Sequence, residues 1–374
     1  MFLALREMRH AKSRYALIAA IMLLISFLVL FVTGLAKGLA YANISALDHM
    51  KSPVFAVQED AERKFRGSML DGDQLSAVRA AAGEENADWL GVQTATLLAG
   101  GSGGKLDVTL FGIDMKRSLA PEIAEGHAVS EAGSGEVVAD LKLKESGARI
   151  GGKLEDPVSG LSWTIAGFVR DYSYSHTPVV FLNSADWLKY KQATSGAGKK
   201  LTSAPYNAIA LTAGAGQNNE LARAAKAQGL ELLTKNEAIR AVPGYAAEQN
   251  SLLMMIVFLF VISAFVLAVF FYVITIQKTG QFGILKAMGT RTGYLGWSVL
   301  SQVLTLSVVS IGAGTALTLL VKGMLPEAMP FRLEPDTMLL TGTLFLGVAA
   351  AGSLVSVLRV ARIDALDAIG RAAA

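Results

Sequence analysis

The chain has 374 residues, of which 52% are hydrophobic and 17% are charged, and its mean hydropathy is +0.43. Such a chain is too apolar for an average soluble protein and too charged to lie wholly within a membrane, so it must occupy two environments. The net charge of +3 does not indicate nucleic-acid binding, because the basic residues crowd beside apolar segments and form no stripe on a soluble surface. The absence of cysteine excludes disulfides and thiolate metal sites.

Four long segments without a single charged residue surround a hydrophilic middle region. They span residues 16–36, 251–276, 292–321 and 337–358. Each has at least the ~20 residues that a helix needs to cross ~30 Å of hydrocarbon. The pattern predicts an α-helical membrane protein with four transmembrane helices, one before and three after an inserted extracellular α+β domain.

We divide the chain on this basis. The transmembrane helices are placed at residues 15–37, 250–276, 293–321 and 337–358, and the inserted domain at 38–249. The remaining segments are an amphipathic N-terminal helix at 1–14, a loop at 277–292, a short connection at 322–336 and a tail at 359–374. The N-terminal segment either lies along the inner leaflet of the membrane or forms a frayed basic end.

Lysine and arginine are concentrated on one side of the predicted helices. They precede the first helix, fill the loop between the second and third, and follow the fourth: Arg6, Arg9, Lys12, Arg14, Lys278, Lys286, Arg291, Arg359 and Arg362. The positive-inside rule predicts a multi-pass protein with both termini in the cytoplasm and with 38–249 and 322–336 outside. The alternative for the first helix is a cleaved signal peptide, because Ala40, Tyr41 and Ala42 form an A-x-A-like site.

Short β-branched runs alternate with two helical stretches in the inserted domain. The runs lie at 54–57, 93–98, 108–113, 137–139, 163–169, 179–182 and 207–211, and the helices at 74–82 and 220–228. This alternation predicts an α+β fold.

Residues 147–153 match the G-x-x-x-x-G-K pattern of a phosphate-binding loop, but Leu154 stands where that loop needs Ser or Thr. A turn between strands is the better interpretation.

Common catalytic patterns are poorly represented. The four histidines form no H-E-x-x-H pair, and there is no cysteine nucleophile. We therefore expect a protein that is not an enzyme and that holds neither a metal ion nor a permanently bound cofactor.

The loop after the second apolar segment contains a short predicted helix. Residues 282–288 can form about two turns, Gly289 is placed to end them in a left-handed cap, and Lys286 suits the negative end of the helix dipole. Phe282, Leu285 and Met288 would share an apolar face. Such a face beside water predicts docking into a groove of another protein or packing on lipid headgroups.

Segments along the whole chain resemble a known family. GILKAMG (283–289), IGGKLEDPVSGLSWTIAGFV (150–169) and RIDALDAIG (362–370), together with the helix layout, look like the permeases of MacB/FtsX-type ABC transporters. Many members carry Glu in the stretch where this chain has Gln281, Phe282 and Gly283, which argues against macrolide export. The resemblance implies a coupling helix seated on a separate cytoplasmic ATPase, through Phe282, Gly283, Leu285, Lys286, Met288 and Gly289.

Within that family, three strings look most like the permeases of bacterial heme exporters: KTGQFGILKAMG (278–289), SYSHTPVVF (173–181) and PGYAAEQNSLLMM (243–255). This likeness implies a homodimer in the cell membrane with two copies of an ATPase, which uses ATP to move heme from the membrane to the exterior. Heme is then substrate and not cofactor. The alternatives are a lipoprotein or peptide-antibiotic exporter of the same superfamily, and an FtsX-like regulator that transmits force to a cell-wall hydrolase.

A heme site requires apolar walls, an iron ligand, and a cation or amide for the propionates. Side chains of suitable chemistry flank the predicted membrane edge: Tyr41, His49, Tyr172, Tyr174, His176, Tyr245 and Glu248. Glu248 is the strongest candidate, because a carboxylate so near hydrocarbon is costly without a partner. The alternative for the tyrosines is ordinary anchoring at the membrane interface. Gly34 and Gly38, spaced G-x-x-x-G on the first helix, are the candidates for a dimer interface.

Overall fold

The computed structural model describes residues 12–100, 104–195, 201, 205–212, 219–326 and 329–361. Most of the predicted N-terminal helix and nearly all of the predicted tail lie outside the described residues. The chain forms two compact units, Met1–Gly38 with Asn250–Ala374, and Leu39–Gln249. We call the first the helical unit and the second the inserted domain.

The described residues form nine α-helices and eleven β-strands. The helices are α1 (Lys12–His49), α2 (Gly72–Ala82), α3 (Ser184–Thr194), α4 (Asn219–Ala227), α5 (Lys235–Arg240), α6 (Tyr245–Gln277), α7 (Thr279–Ala287), α8 (Thr292–Lys322) and α9 (Pro335–Ala361). The strands are β1 (Val54–Gln58), β2 (Ala87–Ala99), β3 (Lys105–Gly112), β4 (Ile123–Gly126), β5 (Glu136–Asp140), β6 (Lys153–Glu155), β7 (Ser162–Val169), β8 (Ser173–Tyr174), β9 (Thr177–Leu182), β10 (Ala208–Leu211) and β11 (Leu230–Thr234).

Helices α1, α6, α8 and α9 are long and apolar enough to cross a membrane. One precedes the inserted domain and three follow it, which confirms the predicted layout. Their shared core contains Met22 of α1, Phe271 of α6, Val303 of α8 and Phe345 of α9, all buried. Because each helix contributes apolar side chains to one cluster, the four form a single helical bundle.

Small residues bring α1 and α8 close together. A Cβ atom on Gly314 would lie 2.3 Å from Oγ of Ser26, so only glycine fits there. The Ser26 hydroxyl in turn donates to the carbonyl oxygen of Ser310 at 3.0 Å. Close approach of small residues with an interhelical hydrogen bond is typical of membrane-helix packing.

The inserted domain is built on one continuous sheet in the order β11-β1-β10-β2-β3-β9-β5-β7-β4, with β6 beside β2 and β7, and β8 beside β9. Most neighbouring strands are antiparallel, whereas β3–β9 and β5–β7 are parallel. Side chains alternate between the two faces, so that Leu110 and Phe111 of β3 belong to different buried clusters. Helices accompany the strands, and the prediction of an inserted α+β domain is confirmed.

A pair of glycines opens a slot for the largest buried side chain. Gly91 of β2 lies opposite Gly112 of β3, and a Cβ on either would come within 2.3 Å of the Trp187 indole. Trp187 is fully buried in this slot and donates from Nε1 to the carbonyl oxygen of Pro205 at 3.2 Å. The two glycines therefore fix α3 on the sheet.

Residues 147–153 form a turn and not a phosphate-binding loop. Gly147 and Gly151 have φ angles of 92° and 76°, which favour glycine. Strand β6 begins at Lys153, where a phosphate-binding loop would lead into a helix. The prediction of a turn between strands is confirmed.

Candidate functional site

The hairpin of β8 and β9 holds a strained turn against α1. Ser175 and His176 are its two loop residues, and both have positive φ angles, 51° and 64°. Such a two-residue loop usually contains Asn and Gly, because side chains at positive φ cost free energy. The Ser175 amide donates to the carbonyl oxygen of Asn43 at 2.8 Å. This hydrogen bond fixes the turn against α1 and thereby the position of the neighbouring His176.

His176 and Asn43 both bind the carboxylate of Glu248. Oε2 of Glu248 accepts from Nδ2 of Asn43 at 2.9 Å and pairs with Nε2 of His176 at 2.8 Å. Asn43 is completely buried, and the side chain of Glu248 is 19% exposed. Three elements of the inserted domain, separated by up to 205 positions, meet at this carboxylate. We call Glu248, His176 and Asn43 the Glu248 cluster.

Buried polar atoms without a hydrogen-bond partner lie in the Glu248 cluster and at the next residue, Gln249. Oε1 of Glu248, Oδ1 of Asn43 and Nε2 of Gln249 are buried without a hydrogen-bond partner among the described residues. Buried polar atoms nearly always have a hydrogen-bond partner, so a buried polar atom without one marks a place for water, an ion or a ligand. No group of three or more His, Asp or Glu in the described ranges could hold a free metal ion.

Tyr41, His49 and Tyr172 form a separate group beside a cavity of about 510 Å³. Oη of Tyr41 and Nε2 of His49 are 3.2 Å apart, and the His49 and Tyr172 ring centroids are 4.5 Å apart. Lys51 and Arg170 also line the cavity. Burial raises the pKa of the Tyr172 phenol above its ordinary value. Its phenolate is correspondingly disfavoured.

The two groups lie on different sides of α1. Asn43 follows Tyr41 by two positions, which turns it about 200° around the helix. The predicted site residues are therefore not assembled in one place. The Glu248 cluster contains Glu248 and His176, whereas the cavity group contains Tyr41, His49 and Tyr172.

Two predicted site residues belong to the protein core. Tyr174 is 2% exposed and packs edge-on to Phe111, with ring centroids 5.6 Å apart. Burial raises the pKa of its phenol far above the ordinary value. The expectation of Tyr174 as an accessible ligand is therefore wrong. Tyr245 is partly buried and packs against the core cluster that contains Val242, so its ring is mainly structural.

Sequence reasoning missed several residues that the fold brings to these groups: Asn43, Lys51 and Arg170. The signal for Asn43 was an amide within a long apolar helix, where an unpaired polar side chain is costly. Its partner could not be identified, because hydrogen bonds across 205 positions leave no local pattern.

Helix α7 has the predicted cap but not the predicted apolar face. Gly289 has a φ angle of 90°, and its amide donates to the carbonyl oxygen of Lys286. The amide of Thr290 donates to the carbonyl oxygen of Leu285 at 3.0 Å. This pattern is a Schellman cap. Phe282, however, is 1% exposed.

Phe282 packs inside the helical unit against Leu295 and Val299. The expectation that it docks on another protein is therefore wrong, because its ring is already covered within the chain. Gly283 is buried as well. The exposed apolar side chains of this segment are Met288, at 69%, and Ile284, at 46%.

Gly34 and Gly38 are also covered within the chain. A Cβ on Gly34 would lie 2.5 Å from the Phe331 ring, and one on Gly38 would lie 2.1 Å from the carbonyl oxygen of Pro330. The amide of Arg332 donates to the carbonyl oxygen of Gly34 at 3.0 Å. The expectation of a dimer interface at these glycines is corrected, because the connection after α8 occupies this face.

Alanine at Gly38 is expected to destabilise the helical unit by about 1–3 kcal/mol, because the new Cβ collides with backbone atoms of Pro330. Gly312→Ala is the matched control, since nothing lies within 4 Å of a Cβ there. The control is expected to stabilise α8 by up to ~1 kcal/mol through helix propensity. Thermal unfolding of the purified variants measures both effects. Equal melting temperatures for the two variants would contradict the assigned packing.

Comparison with known proteins gives the family. A putative hemin transport system permease protein HrtB from Staphylococcus haemolyticus (strain JCSC1435) is 30% identical over 371 residues, covering 99% of both chains. The C-terminal domain of FtsX-like permeases matches residues 253–365. The chain belongs to the FtsX-like permease family. The resemblance noted from its sequence segments is thereby confirmed, and the chain is a membrane permease of the ABC transporter class.

Further similarities extend along this FtsX-like permease. A putative hemin transport system permease protein HrtB from Staphylococcus epidermidis (strain ATCC 12228 / FDA PCI 1200) is 28% identical over 375 residues, covering 99% of each chain. The periplasmic region of MacB from Actinobacillus actinomycetemcomitans has a TM-score of 0.36 and 11% identity, covering 54% of this chain and 96% of that one. The extracellular domain of the transporter YknZ has a TM-score of 0.34 and 10% identity, covering 48% and 99%.

Proposed function

We propose that this FtsX-like permease is the membrane subunit of an ATP-driven pump that exports heme, or a similar flat hydrophobic amphiphile, from the membrane to the exterior. The observation that carries the proposal is the Glu248 cluster, with its unused oxygens at Glu248 and Asn43. The full-length relatives named as putative hemin permeases support the same substrate.

The Glu248 cluster suits heme chemically. Heme supplies four iron ligands itself, so one carboxylate oxygen from the protein completes an axial position. Oε1 of Glu248 is buried without a hydrogen-bond partner while His176 and Asn43 hold Oε2, so Oε1 would serve as the ligand once heme displaces the side chains that cover it. These two partners fix the carboxylate orientation, as outer-shell hydrogen bonds do at metal sites.

The cavity group offers a different kind of contact. The rings of His49 and Tyr172 lie against each other in the cavity wall. The lining holds two basic residues, Lys51 and Arg170, and two acidic ones, Glu122 and Asp171. Heme propionates would pair with Lys51 and Arg170. The volume of about 510 Å³ falls within the usual range for small-molecule sites. We assign this group a secondary role in holding cargo on the inserted domain.

A separate cytoplasmic ATPase is proposed to act on the segment 277–292. Met288 and Ile284 give this segment an exposed apolar surface, and Lys286 adds a positive charge. The positive-inside rule supports a cytoplasmic position for the segment and both termini, with the inserted domain outside. Two permease copies and two ATPase copies complete the proposed pump.

Titration of the purified full-length protein with hemin tests the substrate. The expected result is a saturable shift of the Soret band with a fixed number of hemes per chain. Either a linear, non-saturating change or no change at all would contradict heme as the cargo. Such an outcome would leave the family assignment intact and favour a lipoprotein or peptide cargo.

A further inference from the structure

Three polar side chains meet inside the helical unit where α7 begins. Lys278 is the single residue between α6 and α7, and it is 8% exposed. Its Nζ donates to Oη of Tyr15 at 2.6 Å, and that hydroxyl donates to Oε1 of Gln302 at 2.9 Å. Tyr15 and Gln302 are buried as well. We call Lys278, Tyr15 and Gln302 the Lys278 clamp.

The clamp connects helices that are far apart in the sequence. Tyr15 belongs to α1 and Gln302 to α8, so the two hydrogen bonds join both helices to the start of α7. One turn further on, Phe282 belongs to a buried cluster with Leu295 of α8, against which Val357 of α9 packs. The first turn of α7 is therefore linked to all four long helices: to α1 and α8 by hydrogen bonds, to α9 by apolar packing and to α6 through the backbone.

Packing alone does not explain why the clamp consists of polar side chains. Burying an ammonium group costs more free energy than burying an apolar side chain of similar length. A methionine would fill the space without that cost. Hydrogen bonds, however, are directional, whereas the hydrophobic effect is not. The clamp therefore fixes the relative positions of the helix ends.

We propose that the Lys278 clamp makes the start of α7 and the adjoining parts of α1, α6 and α8 move as one body. Displacement of α7 by the ATPase then also reaches helices that do not adjoin α7 along the chain. This inference rests on the proposed coupling role of the segment 277–292. Lys278, Tyr15 and Gln302 are positioning residues in this account, since they act through the helices and not on the cargo.

Spin labels test the clamp, because the chain contains no cysteine to interfere. Labels at Leu17→Cys and Ile276→Cys, both on exposed helix surfaces, report the α1–α6 distance. The measurement uses the complete permease–ATPase complex in lipid, with and without a non-hydrolysable ATP analogue. In the parent the distance is expected to be the same in both states. In Lys278→Met it is expected to change with nucleotide.

Two further variants make the test decisive. Tyr15→Phe removes only the hydroxyl that makes both hydrogen bonds and should behave like Lys278→Met, even if the latter folds poorly. Lys322→Met, at an exposed position at the end of α8, should behave like the parent. A parent distance that changes with nucleotide, or a Tyr15→Phe distance that does not, would overturn the proposal.

Transport provides a second readout. ATP hydrolysis by the Lys278→Met complex is expected to continue, while the hemin exported per ATP falls, because α7 then moves without the helices that the clamp joins to it. If the parent exports hemin, equal export per ATP in the parent and this variant would count against the clamp. The distance measurement contains no hemin, so failure of the heme proposal does not affect its outcome.

Discussion

Replacement of Glu248 by alanine is expected to lower the affinity for hemin by about a hundredfold, or about 2.7 kcal/mol. The variant removes the carboxylate whose Oε1 is unpartnered and leaves His176 and Asn43 without their shared acceptor. Asn43 is completely buried, so its unpaired amide adds a desolvation cost of about 1–3 kcal/mol to the folded protein. Soret-band titration of the parent and the variant measures the difference.

Graded variants separate ligation from orientation. Glu248→Gln keeps an acceptor for both neighbours but loses the negative charge, so it should bind hemin far more weakly than the parent. Asn43→Ala and His176→Ala keep the carboxylate and should lower affinity by about tenfold each, as outer-shell changes do. Glu145→Ala, at an exposed site in the same domain, is the matched control and should match the parent. Hemin binding by Glu248→Ala with the affinity of the parent would show that the Glu248 cluster is not part of the hemin site.

Met288→Glu is expected to weaken binding of the ATPase to the permease by at least about thirtyfold, or about 2 kcal/mol. Met288 is 69% exposed at the end of α7, and a carboxylate there would have to be desolvated in an apolar groove. Losses of 2 kcal/mol or more are typical of central interface residues. Co-purification and a binding titration with the isolated ATPase measure the effect.

Met324→Glu is the matched control for this variant. Met324 is 77% exposed and follows α8, whereas Met288 precedes it. The 31 residues of α8 separate the two ends by about 45 Å. The control should keep the ATPase bound. Loss of binding with Met324→Glu and retention with Met288→Glu would reverse the proposed orientation in the membrane.

The sequence was sufficient for the architecture because the strongest signals were long. Uncharged runs of more than twenty residues and positive charges beside them are properties of whole segments, and the four helices appear where those runs lie. Short strands carried weaker signals. Strands β4, β6 and β8, with two to four residues each, were not predicted, and neither was the five-residue β11, since their pairing depends on neighbours distant in the chain.

The direction of individual side chains could not be read in the same way. Phe282 and Met288 both fit an apolar helix face by spacing, yet one is buried and the other exposed. Spacing tells which residues share a face and not which neighbour covers it. The same limit applies to Gly34 and Gly38, whose G-x-x-x-G spacing fits any close partner. In this chain the partner is the connection at Pro330 and Phe331.

Hemin-stimulated ATP hydrolysis tests the central claim most directly, because it requires cargo binding and coupling in one measurement. The permease and its ATPase are placed together in lipid vesicles, and the rate of ATP hydrolysis is followed as hemin is added. We predict saturable stimulation in the parent, and its disappearance in both Glu248→Ala and Met288→Glu. A rate that hemin leaves unchanged in the parent, or raises equally in Glu248→Ala, would contradict the account.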